Sequence, residues 1–198
     1  MAKTTCESLI AQDIVIACDE QVVKGMESDA VILNRDDIDF TKLTRDATNP
    51  NIITQLLAKT GKTGYKVRQE GNDPFSDTKM ELVVGKYRNT WTNTVPVVVL
   101  ANDPDVCANI IDNLANGKFV LVTRNAHKGP EGKGEYQIYG LDQGLRASAG
   151  ENDKYSEDTE GGWLITLQET GAPRSATFLF DTDAATTAAK YASLLTGK

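Results

Sequence analysis

GKFVLVTRNAHKGPEGKGEYQIYGLDQGL, residues 117–145, is the stretch on which the fold turns. Phe119 to Thr123 is a β-branched apolar run, and 135–145 alternates, with Tyr136, Ile138 and Leu145 flanking Gly140 and Gly144. Between them lie Gly129, Pro130, Gly132 and Gly134, a cluster that reads as a loop. Two antiparallel strands joined by a long charged tip, His127 to Gly134, are therefore expected. Hairpin loops usually run about 2–5 residues, so this tip exceeds what a turn needs. It is either a mobile excursion or a contact element that orders on a partner, with an ordinary surface loop as the plain alternative.

Toward the C-terminus comes an acidic, linker-like loop, Ala149 to Gly162. Trp163 to Gln168 reads as a strand, Gly171-Ala172-Pro173 as a turn and Ala176 to Phe180 as another strand. Asp181-Thr182-Asp183 then caps a terminal helix in which Tyr191, Leu194 and Leu195 pack and Gly197 ends the run.

Toward the N-terminus, Asp103-Pro104 opens a helix with Ile110, Ile111 and Leu114 on one face and Gly117 as terminator. Asn49 to Leu57 shows the same punctuation and reads as a second short helix, with Asn49 as N-cap, Pro50 in the first helical position and Gly61 stopping it. Shared capping chemistry accounts for the likeness of the two segments better than a duplication does. KMELVVGKYRN, residues 79–89, reads as a strand with Gly85 as a possible bulge. Pro96 marks a strand start or edge ahead of Val97 to Leu100, which should be buried. Ile14 to Ala17 and Ala30 to Leu33 are each long enough for a strand, and Met1 to Gln12 reads as a polar arm. The sum is about eight strands and three helices in an α+β chain. The tight joins make it mainly antiparallel. Residues 1–12 form the arm and 13–198 a single domain.

The 198 residues are 40% hydrophobic and 25% charged, as in an ordinary globular chain. No apolar run reaches the roughly 18 residues of a membrane span, and the N-terminus lacks a signal-peptide profile. A net charge of −7 argues against a protein that grips nucleic acid, since phosphate binding concentrates Lys and Arg. Cys6, Cys18 and Cys107 are odd in number and share no metal-type spacing, so reduced thiols in a cytosol are expected.

No catalytic, cofactor or metal residues are assigned. His127 is the single histidine and lies among glycines, where nothing fixes a triad. Asp36, Asp37 and Asp39 crowd together, but out of register with a calcium loop, and read as a solvated turn. Glu157, Asp158 and Glu160 also lie in a hydrophilic turn, without the apolar wall that raises a general acid's pKa. Gly61-Lys62-Thr63 lacks the earlier glycine and the subsequent helix of a phosphate loop. Gly140 to Gly144 lacks the strand-to-helix setting of a dinucleotide fingerprint.

AVILNRDDIDF (30–40) and NPNIITQLLAKTGKTGYKV (49–67) are similar to stretches of virion structural proteins from phages that infect Bacteroidota, the crAss-like phages included. So are KFVLVTRN…GEYQIYGLDQGL, the acidic loop, GGWLITLQE and FLFDTDAATTAAKYASLL. The resemblance implies a β-sandwich or barrel-like core with flanking helices, in a subunit that self-associates into a ring or tube of the tail or head-tail connector. It implies neighbouring tail, adaptor or portal proteins as partners, and DNA that passes without specific binding. It places the protein in the virion, assembled in the host cytoplasm, and carries no site residues.

A β-rich ligand- or carbohydrate-binding module is the alternative from another class, and an enzyme with an unrecognised site is a third. A binding module would present solvent-facing aromatics, whereas Trp91 and Trp163 sit in alternating strands and read more simply as core.

Overall fold

Two apolar runs lie side by side and set the layering of the molecule. The computed structural model describes Ile10, Asp13, Ile14 and residues 22–196. The arm at 1–12, the strand expected at 14–17, Cys6, Cys18 and Gly197 fall wholly or largely outside those residues. Numbered along the chain, the described strands are β1 (Met26–Asn34), β2 (Thr44–Arg45), β3 (Ile52–Gln55), β4 (Tyr65–Arg68), β5 (Lys79–Val83) and β6 (Thr90–Val99). They continue with β7 (Phe119–Asn125), β8 (Tyr136–Tyr139), β9 (Arg146–Glu151), β10 (Trp163–Ala172) and β11 (Thr177–Leu179). A seven-stranded sheet has the order β2-β3-β11-β8-β7-β1-β4, and a four-stranded sheet the order β5-β6-β10-β9.

β1 and β7 pair antiparallel near the centre of the larger sheet, with Ile32 opposite Leu121 and Leu33 opposite Val120. Successive side chains point to opposite faces of a strand, yet Ala30 to Leu33 and Phe119 to Thr123 are all buried. Both faces are covered, which is why these runs are continuously apolar rather than alternating. Ala30, Ile32, Phe119 and Leu121 meet Val95, Val97, Ile165 and Leu167 of the smaller sheet. On the reverse face Val31, Leu33, Val120 and Val122 meet Leu194, with Tyr191 and Leu195 packed at the margin. The layers are thus smaller sheet, larger sheet, and a helix with its adjoining loops. The expectation of a mixed, mainly antiparallel α+β chain holds, but both sheets are open, so the core is a sandwich rather than a closed barrel.

The C-terminal helix α3 (Ala184–Ser193) begins where its cap predicts. The Asp183 carboxylate accepts from the Thr186 N–H at 2.7 Å. Lys190, in the last turn of the helix, reaches back to pair with Asp181 at 2.6 Å and donates to the Thr54 carbonyl at 2.7 Å. The other helical segment runs without a break through α1 (Pro104–Val106), a π turn (Cys107–Ile111) and α2 (Asp112–Asn116). Asp103 caps it by accepting from the Asp105 and Val106 amides, both at 3.0 Å. Ile111 and Leu114 enter the core between the sheets.

The helix expected at 49–57 is instead β3. Asp46 accepts from the Thr48 and Asn49 amides and Asn49 from the Asn51 amide, so the polar punctuation closes a turn. Ile52, Ile53 and Thr54 are β-branched and favour an extended chain. β3 then lies parallel to β11, with Ile53 opposite Leu179 and fully buried. Three helices are therefore not found among the described residues, which hold the 104–116 segment, α3 and brief 3-10 turns. The strand expected over 79–89 ends at Val83, and Gly85 opens a turn instead of forming a bulge. The hairpin at 117–145 forms as expected, with Leu121 opposite Tyr139 and Arg124 opposite Tyr136.

Candidate assembly surface

β6 and β10 turn Val95, Val97, Ile165 and Leu167 inward, so strict alternation sends Thr92, Thr94, Pro96 and Val98 outward, with Leu164, Thr166 and Gln168 beside them. None of these seven outward residues is charged, in a chain where a quarter of residues are. Charge on this face is confined to the edge strands, as a Lys79–Glu81 pair at 3.1 Å on β5 and as Arg146 and Glu151 on β9. Six of the seven outward residues are half-buried and Thr94 is buried, and among the described residues neither core cluster reaches this face. Pro96 fits here because β5 reaches only as far as Thr94, leaving the neighbouring edge of β6 without a ladder.

The β5–β6 hairpin carries exposed apolar side chains to one end of this sheet. Leu82, Val83 and Val84 are exposed, and Tyr87 is 90% exposed. The turn 84–89 is closed by the Gly85 amide donating to Asn89 Oδ1 at 3.3 Å. A Cβ at Gly85 would stand 2.2 Å from the Arg88 carbonyl oxygen, so the tight return requires glycine. Lys86 stacks over the Tyr87 ring at 5.2 Å, and Arg88 shares the turn. At the opposite end, Trp163 pairs with Val99, and residues 151–160, the last of β9 and the connection to β10, hold Glu151, Asp153, Glu157, Asp158 and Glu160 against one Lys154. Tyr155 in that connection is 95% exposed, and Leu100, expected buried from its apolar run, is exposed where β6 ends. Among the described residues, neither Lys86 nor Arg88 nor these five acids has an ion-pair partner within the chain.

Elsewhere, polar groups are turned to holding loops in place. Glu169, 2% exposed, accepts from Asn93 Nδ2 at 2.8 Å and from the Gly140 and Gln143 amides at 3.0 and 2.6 Å. It ties the β8–β9 connection of one sheet to β10 of the other. Asp142 in that connection pairs with Arg45 at 3.1 Å, and its carbonyl accepts from Arg35 at 2.9 Å. Asp37 pairs with Lys62 at 3.3 Å, so Gly61-Lys62-Thr63 anchors a loop. Hydrogen bonding from Thr41, with Lys42 alongside, holds the Asp39 carboxyl below its ordinary value. His127 is half-buried, and its Nδ1 accepts from the Val23 amide at 3.4 Å. The tip after it closes on itself, Gly134 donating to the Lys128 carbonyl at 2.7 Å.

Trp163 packs against the inter-sheet core and donates its indole N–H to Asn102 at 3.1 Å. Trp91 lies half-buried between Leu82 and Ala172. Among the described residues no three His, Cys, Asp or Glu side chains gather as a metal site, and Cys107 is a free, half-buried thiol. The apolar hairpin end escapes a sequence reading because LVVGKY looks like a buried strand until its partner strand shows that the core stops short of it. No family model, curated protein or solved structure matches the chain.

Proposed function

We propose that the chain is a bacteriophage virion structural protein that self-associates into a ring or tube of the tail or head-tail connector, forming part of the DNA channel. The observation that carries this reading is the four-stranded sheet, whose charge-poor outer face lies between β5 and β9, the strands that end its ladder among the described residues. Alternation across β5-β6-β10-β9 makes the edge strands antiparallel to each other. A neighbour's β9 set beside β5 continues the antiparallel pattern, and the same step repeated closes a ring through one heterologous contact. Exposed edges invite such pairing unless something blocks it. The resemblance carried by 30–40, 49–67 and the C-terminal half points the same way.

The excess of 28 acidic over 21 basic residues goes with a channel wall on which acids outnumber bases. DNA would then be repelled within a Debye length, roughly 8–10 Å, and slip without adhering. Sedimentation and electron microscopy of the purified full chain test the proposal. Rings or tubes of one repeating diameter are expected. A chain that stays monomeric at every concentration reached, or a ring lined mainly by Lys and Arg, contradicts it.

A further inference from the structure

The two ends of the four-stranded sheet carry opposite charge. At one end the β5–β6 turn offers Lys86 and Arg88 with no acid among residues 84–89. At the other, residues 151–160 hold five acids and one lysine. The ends lie on opposite sides of the ladder, since β6 begins at the turn and its far residue Val99 pairs with Trp163, next to the acidic connection. Ten extended residues separate them by about 30 Å, beyond the reach of either on the other within one chain. Each end also displays an exposed tyrosine, Tyr87 in the turn and Tyr155 in the connection, and exposed apolar side chains at Val84 and Leu100. Charge and apolar area are therefore paired from end to end, whereas the edges β5 and β9 face sideways.

We propose that the basic hairpin turn of one copy docks onto the acidic β9–β10 connection of a second copy placed end to end with it. This contact rests on the self-association proposed for the strand edges and adds a second direction to it. Strand edges join copies around a ring, and turn-to-connection contacts stack one ring on the next. An end-to-end contact is heterologous and does not close, so it propagates as a tube. Its charged part is solvent-accessible before docking, which makes association fast and salt-dependent.

The test uses the full chain, followed by sedimentation velocity and negative-stain microscopy at low and high sodium chloride. Stacked rings are expected at low salt, shortening toward single rings near 1 M, where the Debye length falls to about 3 Å. Lys86→Glu with Arg88→Glu should weaken stacking by about tenfold or more and leave single rings, because like charges then face each other. Glu157→Lys with Asp158→Lys should do the same, and combining the four changes should restore stacking. Lys86, Arg88, Glu157 and Asp158 are all exposed, and circular dichroism checks that each variant keeps its strands. Wild-type rings that never stack, stacking unmoved by charge reversal, or a combined variant that fails to restore it would each overturn this contact while leaving the ring intact. A monomer under all conditions overturns both proposals.

Discussion

Glu169 shows how one side chain can join two sheets. Its carboxylate accepts three hydrogen bonds, two of them from backbone amides. Leaving such donors unsatisfied costs about 1–3 kcal/mol apiece. Glu169→Ala should therefore lower unfolding free energy by about 3 kcal/mol or more in urea melts, and a loss under about 1 kcal/mol would show that the clamp contributes little. Gly140, which supplies one donor, has φ +82° and would drive a Cβ to 2.5 Å from the Phe119 carbonyl oxygen, so the clamp depends on glycine there. At the start of α3 the logic is ionic. Hydrogen bonding from Lys190 holds the Asp181 carboxyl below its ordinary 3.8, and the Thr186 amide does the same for Asp183. Folded values below the unfolded ones mean that this stabilisation is present above the ordinary value and is lost as pH falls through the lower, folded values. Tyr191 fluorescence or helical ellipticity should report α3 loosening below about pH 4, before the sheets unfold. Loss of helix and sheet signals together would contradict it.

Among the elements, β3 and the 104–116 helix open with nearly the same residues and end as different structures. Asn49-Pro50-Asn51 and Asp103-Pro104-Asp105 both close polar turns onto backbone amides. The next residues meet different partners: Ile52-Ile53-Thr54 is taken up by the ladder with β11, while 106–114 has no strand to join and lays Ile111 and Leu114 on the core. Because β3 is a strand, its amides and those of Phe178 and Phe180, which donate to Asn51 and Ile53, should exchange together. Ile53→Ala should cost about 2–5 kcal/mol, as for other fully buried aliphatic side chains. A neutral substitution would place the segment outside the core. In the tip at 127–134, the Gly134 amide should exchange more slowly than that of Lys128, since among the described residues only the former has a backbone acceptor in the turn.

For the whole molecule, the two sheets share one hydrophobic core, so they should unfold as one unit. Ala30, Ile32, Leu121, Val95, Ile165 and Leu167 belong to a single packed cluster that draws on both sheets. Leu121→Ala and Leu167→Ala, one in each sheet and both fully buried, should each cost about 2–5 kcal/mol and shift the same transition. Near- and far-ultraviolet dichroism should move together in denaturant, as a two-state domain requires. Separate transitions for the two substitutions would divide the chain into independent sheets. Surface charge is arranged at the same scale, with Lys86 and Arg88 at one end of the four-stranded sheet and five acids among 151–160 at the other.

The hairpin at 117–145, the strands at 30–33 and 163–168, and both Asp-capped helix starts were legible in the sequence because each rests on local chemistry. A β-branched run stays extended, and an Asp side chain reaches amides two or three residues on, whatever the rest of the chain does. The strand β3, the end of β5 at Val83 and the open rather than closed sheets were decided by tertiary pairing. A segment such as Ile52–Gln55 has too few residues to hold a helix or a strand alone, so the partner that buries Ile53 chooses. The candidate surface divides in the same way. Its charges at 86–88 and 151–160 are plain in the sequence, but only the β6–β10 register sets them at opposite ends of one sheet, because distance across a ladder is not encoded in any single strand.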